Sequence, residues 1–153
     1  MRQPKTDIAA VVLHSVQRGR VAYLAADLDR RYERDNLPDH GGLLANIVRW
    51  AAGDRIPLEV RGPGLIDCHL YRQPGRLILH LVNLTSAATW RAPLTELIGV
   101  GPLAVNVKLP EDVRGRSLQY LVSGQRRGLT ARQGWVSFEI KSILDHEVVV
   151  IDG

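Results

Sequence analysis

The sequence contains very little cysteine and no long apolar segment. Cys68 is its one cysteine among 153 residues, which excludes an internal disulfide and a metal cluster built on cysteines. No apolar run approaches the roughly 18 residues that a membrane helix needs, so the composition predicts a soluble chain without a membrane partner. The first residues lack the apolar core of a secretory signal, and we therefore expect a cytoplasmic location.

Basic residues outnumber acidic residues, but they do not form the clusters with aromatic residues that are typical of nucleic-acid binding. The formal net charge is +4, but aromatic residues make up only 5% of the chain and the arginines are scattered rather than interleaved with them. We expect a solvated basic surface and no nucleic-acid partner. The content of apolar residues, 45%, together with 24% charged residues, predicts a folded globular chain.

The first third of the chain predicts two strands and a helix. Residues 8–13 and 21–26 are short apolar runs, and the intervening Gln17-Arg18-Gly19-Arg20 is typical of a hairpin connection. A helix follows over residues 39–52, with Asp39 as its expected N-cap and Gly53 as its end. Its apolar stripe consists of Leu43, Leu44, Ile47, Val48 and Ala51.

From Ile56 onward the pattern changes to short apolar or alternating segments separated by glycine and proline. Seven strands are predicted, over residues 58–61, 65–72, 76–84, 103–109, 117–122, 135–140 and 147–151. Strands of this length and spacing are typical of an antiparallel β-sandwich. The predicted fold class is therefore mainly β, with a strand-strand-helix α/β segment in domain 1–55 and a sandwich in domain 56–153.

Four stretches of the chain carry a resemblance to known proteins. They are GRVAYLAADLD at 19–29, PDHxxLLANIVRWA at 38–51, VxGPGLIDCHLYRQPGRLILHLVNLT at 60–85 and SILDHEVVVID at 142–152. They resemble the C-terminal part of glycoside-hydrolase-related proteins. In that group a (β/α)₈ barrel precedes a flavodoxin-like domain, similar to the trimerisation domain of family 42 β-galactosidases, and a small β-sandwich comes last.

The resemblance implies an accessory role without a cofactor. The barrel, which would bear the catalytic carboxylates, has no counterpart in this sequence. Of the flavodoxin-like domain, only the last two strands and the last helix have a counterpart. We therefore expect no enzymatic activity in this chain alone. Two apolar strands cannot be covered by one helix, which predicts either a homo-oligomer, with residues 8–13 and 21–26 near the contact, or a missing upstream domain.

Three residues in the first domain are candidates for catalysis. Asp27 and Asp29 follow an apolar strand, where ligands collect in open α/β sheets, and His40 lies nearby in the sequence. A small hydrolase that uses these three side chains is one alternative. The other interpretation is structural, with the aspartates bound to loop amides or to neighbouring arginines.

Two histidines are candidates for a metal site. If Pro74 and Gly75 form the turn of a hairpin, His69 faces His80 on the outer face of the sheet. Zinc would need a further ligand such as Asp67, and a half-buried histidine pair without metal is the alternative.

Carbohydrate is a further candidate ligand. Flat aromatic side chains can stack on sugar rings, and Trp90, in a loop-like stretch, is the aromatic residue that we select first for such a contact. The triplet Asn83-Leu84-Thr85 matches a glycosylation sequon, but we interpret it as a strand end.

Overall fold

The chain forms two compact units. A computed structural model describes residues 7–85 and 96–153. One unit ends at Ile56 and the other begins at Pro57. Among the described residues, neither helix is long and apolar enough to cross a membrane.

The first unit begins with an antiparallel hairpin. Strand β1 (Val11–Val16) pairs with β2 (Gly19–Leu24), and Val16 lies opposite Gly19. The strands are shifted relative to the prediction because the turn contains only Gln17 and Arg18. Gln17 adopts the left-handed conformation there, with φ of +52°.

Two helices follow the hairpin, of which the sequence predicts one. Helix α1 (Leu28–Asp35) is short and has no buried residue. It carries no apolar stripe, so the hydrophobic pattern does not reveal it. Exposed ion pairs, Arg30 to Asp27 at 3.6 Å and Arg31 to Asp35 at 3.8 Å, span adjacent turns and favour the helix modestly.

Helix α2 (Pro38–Ala52) is the predicted helix, but its predicted N-cap is wrong. Leu37 occupies the N-cap position, and the helix begins at Pro38. Proline is favoured there because its fixed φ suits a helix and its missing N–H would have no partner anyway. Asp39 lies in the first turn, where its charge complements the helix dipole. Gly53 ends the helix at φ of +61°, as predicted.

The second unit is an antiparallel β-sandwich of two sheets. Its strands are β3 (Leu58–Arg61), β4 (Ile66–Gln73), β5 (Arg76–Asn83), β6 (Leu103–Lys108), β7 (Ser117–Tyr120), β8 (Arg126–Gly128), β9 (Trp135–Ile140) and β10 (His146–Asp152). The larger sheet has the order β4-β5-β10-β7-β8, and the smaller has the order β3-β6-β9. The last strand in sequence thus lies at the centre of the larger sheet. The mainly β fold class is confirmed.

Strand β8 is the one strand of the sandwich that the sequence does not predict. It has three residues, Arg126–Gly128, and all three are exposed. An edge strand of this kind lacks the alternation of apolar and polar residues that identifies strands from sequence.

The core lies between the two sheets. Alternate residues of β5, β6 and β9 are buried, as strand geometry requires for side chains that point to one face. The largest side chains that are completely buried are Leu79, Leu81, Leu103, Leu118, Ile151, Val105, Val107, Val136 and Val149. All of them belong to the sandwich.

Candidate functional site

The structure does not bond the catalytic candidates of the first unit to one another. Asp27 lies at the N-cap position of α1 and pairs with Arg30, Asp29 lies in the first turn of α1, and His40 lies in the first turn of α2. Within residues 7–85 and 96–153, no hydrogen bond or ion pair joins His40 to either aspartate. The arrangement does not form a carboxylate–histidine pair that could transfer a proton.

The carboxylate that His40 influences is Asp35, which sequence reasoning did not select. Hydrogen bonds from Arg34, at 2.7 and 3.0 Å, are the main reason why the pKa of Asp35 lies below its ordinary value. The charges of Arg31 and His40 lower it further. A carboxylate stabilised in its charged form in this way is a weak proton acceptor.

The predicted histidine pair is present on the larger sheet. His69 on β4 lies opposite His80 on β5, and Leu70 lies opposite Leu79, so the predicted register is confirmed. The histidines share the outer face with Tyr71, whose ring stacks on His69 at 6.3 Å and meets His80 edge-on at 5.4 Å. The face is thus a row of packed rings above the core.

The surroundings of this pair do not favour a metal ion. His69 Nε2 lies 3.0 Å from an Asp67 carboxylate oxygen, and the Tyr71 ring contacts both imidazoles. Among the described residues, no group of three histidine, cysteine, aspartate or glutamate side chains is placed to hold a metal ion. Cys68 is no substitute, because burial, with the charge of Asp67, raises the pKa of its thiol.

Asn83 is the last residue of β5, in agreement with the predicted strand end, and its side chain has a structural role there. Its side-chain amide donates hydrogen bonds to the carbonyl oxygens of Ile98 at 2.7 Å and Leu144 at 2.8 Å. Its carboxamide oxygen accepts the backbone N–H of Thr85 at 3.0 Å. The side chain therefore ties three segments of the sandwich together.

A polar groove lies along the outer edge of the smaller sheet. It measures about 560 Å³ and runs between β9 and the segment that follows β8. Its lining residues are Gly128, Leu129, Thr130, Arg132, Gln133, Trp135 and Ser137. Trp135, the first residue of β9, provides its aromatic surface and is 36% exposed.

The Trp135 side chain is held in place from the opposite strand. Lys108 on β6 pairs with Trp135 in the sheet, and its Nζ lies 5.4 Å from the centre of the Trp135 ring system. The same Nζ donates to the backbone oxygen of Gln133 at 3.2 Å. The sequence places Trp135 in a predicted strand, among the aromatic residues that raise the possibility of sugar binding. Trp90, selected first for such a contact, lies outside the described residues.

Comparison with known proteins shows a structural similarity. No protein-family model and no curated protein matches the sequence. A solved structure that matches is α-L-fucosidase isoenzyme 2 from Paenibacillus thiaminolyticus, with a TM-score of 0.69 and 18% identity over 92% of this chain. The matched region is 21% of that protein, so this chain spans about a fifth of its length. At this identity the similarity shows the fold alone.

Proposed function

We propose that this chain is a non-catalytic accessory region of a glycoside-hydrolase-like protein and that it self-associates through its N-terminal hairpin. The observation that carries the proposal is the exposure of the first unit. None of its described residues, 7–56, is buried. A unit without buried side chains gains little from the hydrophobic effect, so further polypeptide must cover it if it is to be stable.

The open face of the hairpin is the surface that needs cover. We define it as Val12, His14, Val16, Val21 and Tyr23, which the strand register places on one side. The opposite side carries Arg20, whose guanidinium donates to the Trp50 carbonyl of α2 at 2.9 Å. Helix α2 therefore contacts the other side of the hairpin and leaves the open face unpaired within the described chain.

A second copy of the chain is the partner that this surface suits. The open face has no aspartate, glutamate, lysine or arginine, so two copies can meet there without repulsion between permanent charges. Tyr23 is 64% exposed and Val21 is 52% exposed, and both would lose water on contact. The free edges of β1 and β2 offer further backbone groups for pairing.

The link to glycoside hydrolases has two supports. One is the sequence resemblance described above, and the other is the similarity to a region of an α-L-fucosidase that makes up 21% of that protein. In the described part of the chain, His40 forms no hydrogen bond or ion pair with Asp27 or Asp29, which supports a role without catalysis.

Sedimentation velocity over a range of concentrations tests self-association, with Tyr23→Lys as the disrupting variant. Full burial of a large apolar side chain contributes about 1.5–3 kcal/mol, so covering the exposed two-thirds of Tyr23 contributes about 1–2 kcal/mol to the free energy of association. A two-fold dimer contains the residue twice, and we expect the dissociation constant to rise by about 30-fold or more.

The matched control is Leu144→Lys, which changes an apolar residue of the sandwich that is 55% exposed. We expect this variant to associate like the original chain. A chain that stays monomeric up to about 100 μM, far above the usual range of specific complexes, contradicts the proposal. If Tyr23→Lys and Leu144→Lys weakened self-association equally, the assignment of the contact to the hairpin would be contradicted.

A further inference from the structure

We infer that the groove beside Trp135 binds a pyranose ring of a carbohydrate. This inference is independent of self-association, because the groove belongs entirely to the sandwich and the open face belongs to the hairpin. It assigns the aromatic contact to Trp135 and not to Trp90.

The aromatic wall of the groove is preorganised. Trp135 exchanges two backbone hydrogen bonds with Arg132, at 2.8 and 2.9 Å, which close the turn through Gln133 and Gly134. Both turn residues have positive φ, +52° and +74°, as in the tight turns that match strand twist. Because Lys108 also packs against the ring, the Trp135 side chain has little conformational freedom to lose when a ligand binds, which lowers the entropic cost of binding.

The polar side chains of the groove are free to bind a ligand. Thr130, Arg132, Gln133 and Ser137 are all exposed, and none of their side chains forms a hydrogen bond or ion pair with another residue of the described chain. Together they supply two hydroxyls, one amide and one guanidinium. The hydroxyls and the amide can both donate to and accept from sugar hydroxyls, while the Arg132 guanidinium only donates.

A sugar ring has the matching chemistry. One face of a pyranose presents C–H groups that pack on a flat aromatic ring, and its rim presents hydroxyls. A phosphate-bearing ligand fits less well because Arg132 is the one charged residue in the lining, and Lys108 is already engaged by the Trp135 ring and the Gln133 carbonyl. Arg132 can instead pair with adjacent hydroxyls or with the carboxylate of a uronic acid.

Another groove of the sandwich with an aromatic side chain is a weaker candidate. It measures about 520 Å³ and lies on the outer face of the larger sheet around Tyr71. The Tyr71 ring is already packed against His69 and His80, and Arg72 donates to Asp112 at 2.7 Å. The charged group of this groove is therefore already paired, whereas Arg132 is not paired within the described chain, and Tyr71 on the larger sheet provides a control position for Trp135.

Calorimetric titration of the full chain tests the inference. The probes are neutral oligosaccharides of glucose, galactose and xylose, and an oligogalacturonate for the carboxylate. We expect saturable binding of at least one probe, with affinity reduced about 10-fold or more in Trp135→Ala and retained in Tyr71→Ala. Binding of the uronate alone would assign Arg132 to a carboxylate, and binding of neutral probes would assign it to hydroxyls.

Two further variants keep the test decisive if Trp135→Ala fails to fold. The double variant Thr130→Ala, Ser137→Ala removes two free hydroxyls from an exposed groove, and we expect it to fold normally and to lose affinity. Trp90→Ala should bind as the original chain does. Flat titrations with every probe overturn the inference, as does loss of binding in Trp90→Ala or Tyr71→Ala with retention in Trp135→Ala.

Discussion

Cutting the chain between Ile56 and Pro57 should leave a sandwich that folds alone. Every apolar residue that is buried in the described chain lies in Pro57–Gly153, and residues 7–56 contribute none. The stability of the whole chain should therefore reside in the second unit. The fragment that ends at Ile56 should be unfolded at low concentration, because nothing replaces the water around its apolar side chains.

The expected magnitude follows from the size of the sandwich. A domain of about 100 residues has a free energy of unfolding of roughly 5–15 kcal/mol. We expect the free energies of unfolding of the full chain and of fragment Pro57–Gly153 to agree within about 0.5 kcal/mol, which is the size of a typical surface effect. The denaturant dependence, or m value, should agree as well, because it scales with the surface exposed on unfolding.

Urea unfolding followed by circular dichroism at micromolar or lower concentration measures both quantities. Low concentration matters because association through the hairpin would stabilise the full chain. An m value for the full chain that exceeds that of the fragment by about half would mean that the first unit unfolds together with the sandwich. That result, or a fragment that fails to fold, would refute the reasoning.

Three further predictions concern single residues of the sandwich. Leu79→Ala, at a completely buried position, should lower the free energy of unfolding by about 3–5 kcal/mol in urea titrations, and an equal effect of the exposed control Leu144→Ala would contradict this. Glu147 is 5% exposed and accepts backbone N–H bonds from Val122, Ser123 and Val148, so Glu147→Ala should cost about 1–3 kcal/mol, and Glu147→Gln, which keeps one acceptor oxygen, should cost less. Hydrogen bonding from the Gly75 N–H, with that from Arg72, lowers the pKa of Asp112. The charged Asp112 side chain therefore stabilises the fold at neutral pH, and this contribution is lost as pH falls through the range below about 4. Asp112→Asn should reduce the acid sensitivity of the melting temperature, and an unchanged acid profile would contradict this prediction.

The larger elements of the fold were predictable from sequence because their signals are local. The register of β4 and β5 follows from the two-residue turn at Pro74 and Gly75, and a shift by one residue would move the inward-facing side chains of the shifted strand to solvent. Helix α2 follows from its stripe and from Gly53. Helix α1 and strand β8 were missed because neither buries an apolar face, so neither leaves a hydrophobic pattern in the sequence.

The candidate groove was less predictable, although its lining residues all lie between Gly128 and Ser137, because most of them are exposed and leave no hydrophobic pattern in the sequence. Lys108 on β6 and Trp135 on β9 become neighbours only through strand pairing. Likewise, the approach of Thr130 to β9 depends on the path of the chain between the two sheets. For the histidine pair, by contrast, one short hairpin contains both residues, so turn length alone placed His69 opposite His80.

The central position of β10 has a consequence for how the protein is synthesised. Strands β5 and β7 are both neighbours of β10 and are not paired with each other. Before the ribosome has made residues His146–Asp152, the larger sheet can exist only as two separate hairpins with an unfilled gap. We therefore expect the sandwich to fold late, after translation of its last strand, and nascent chains halted before His146 to remain sensitive to protease.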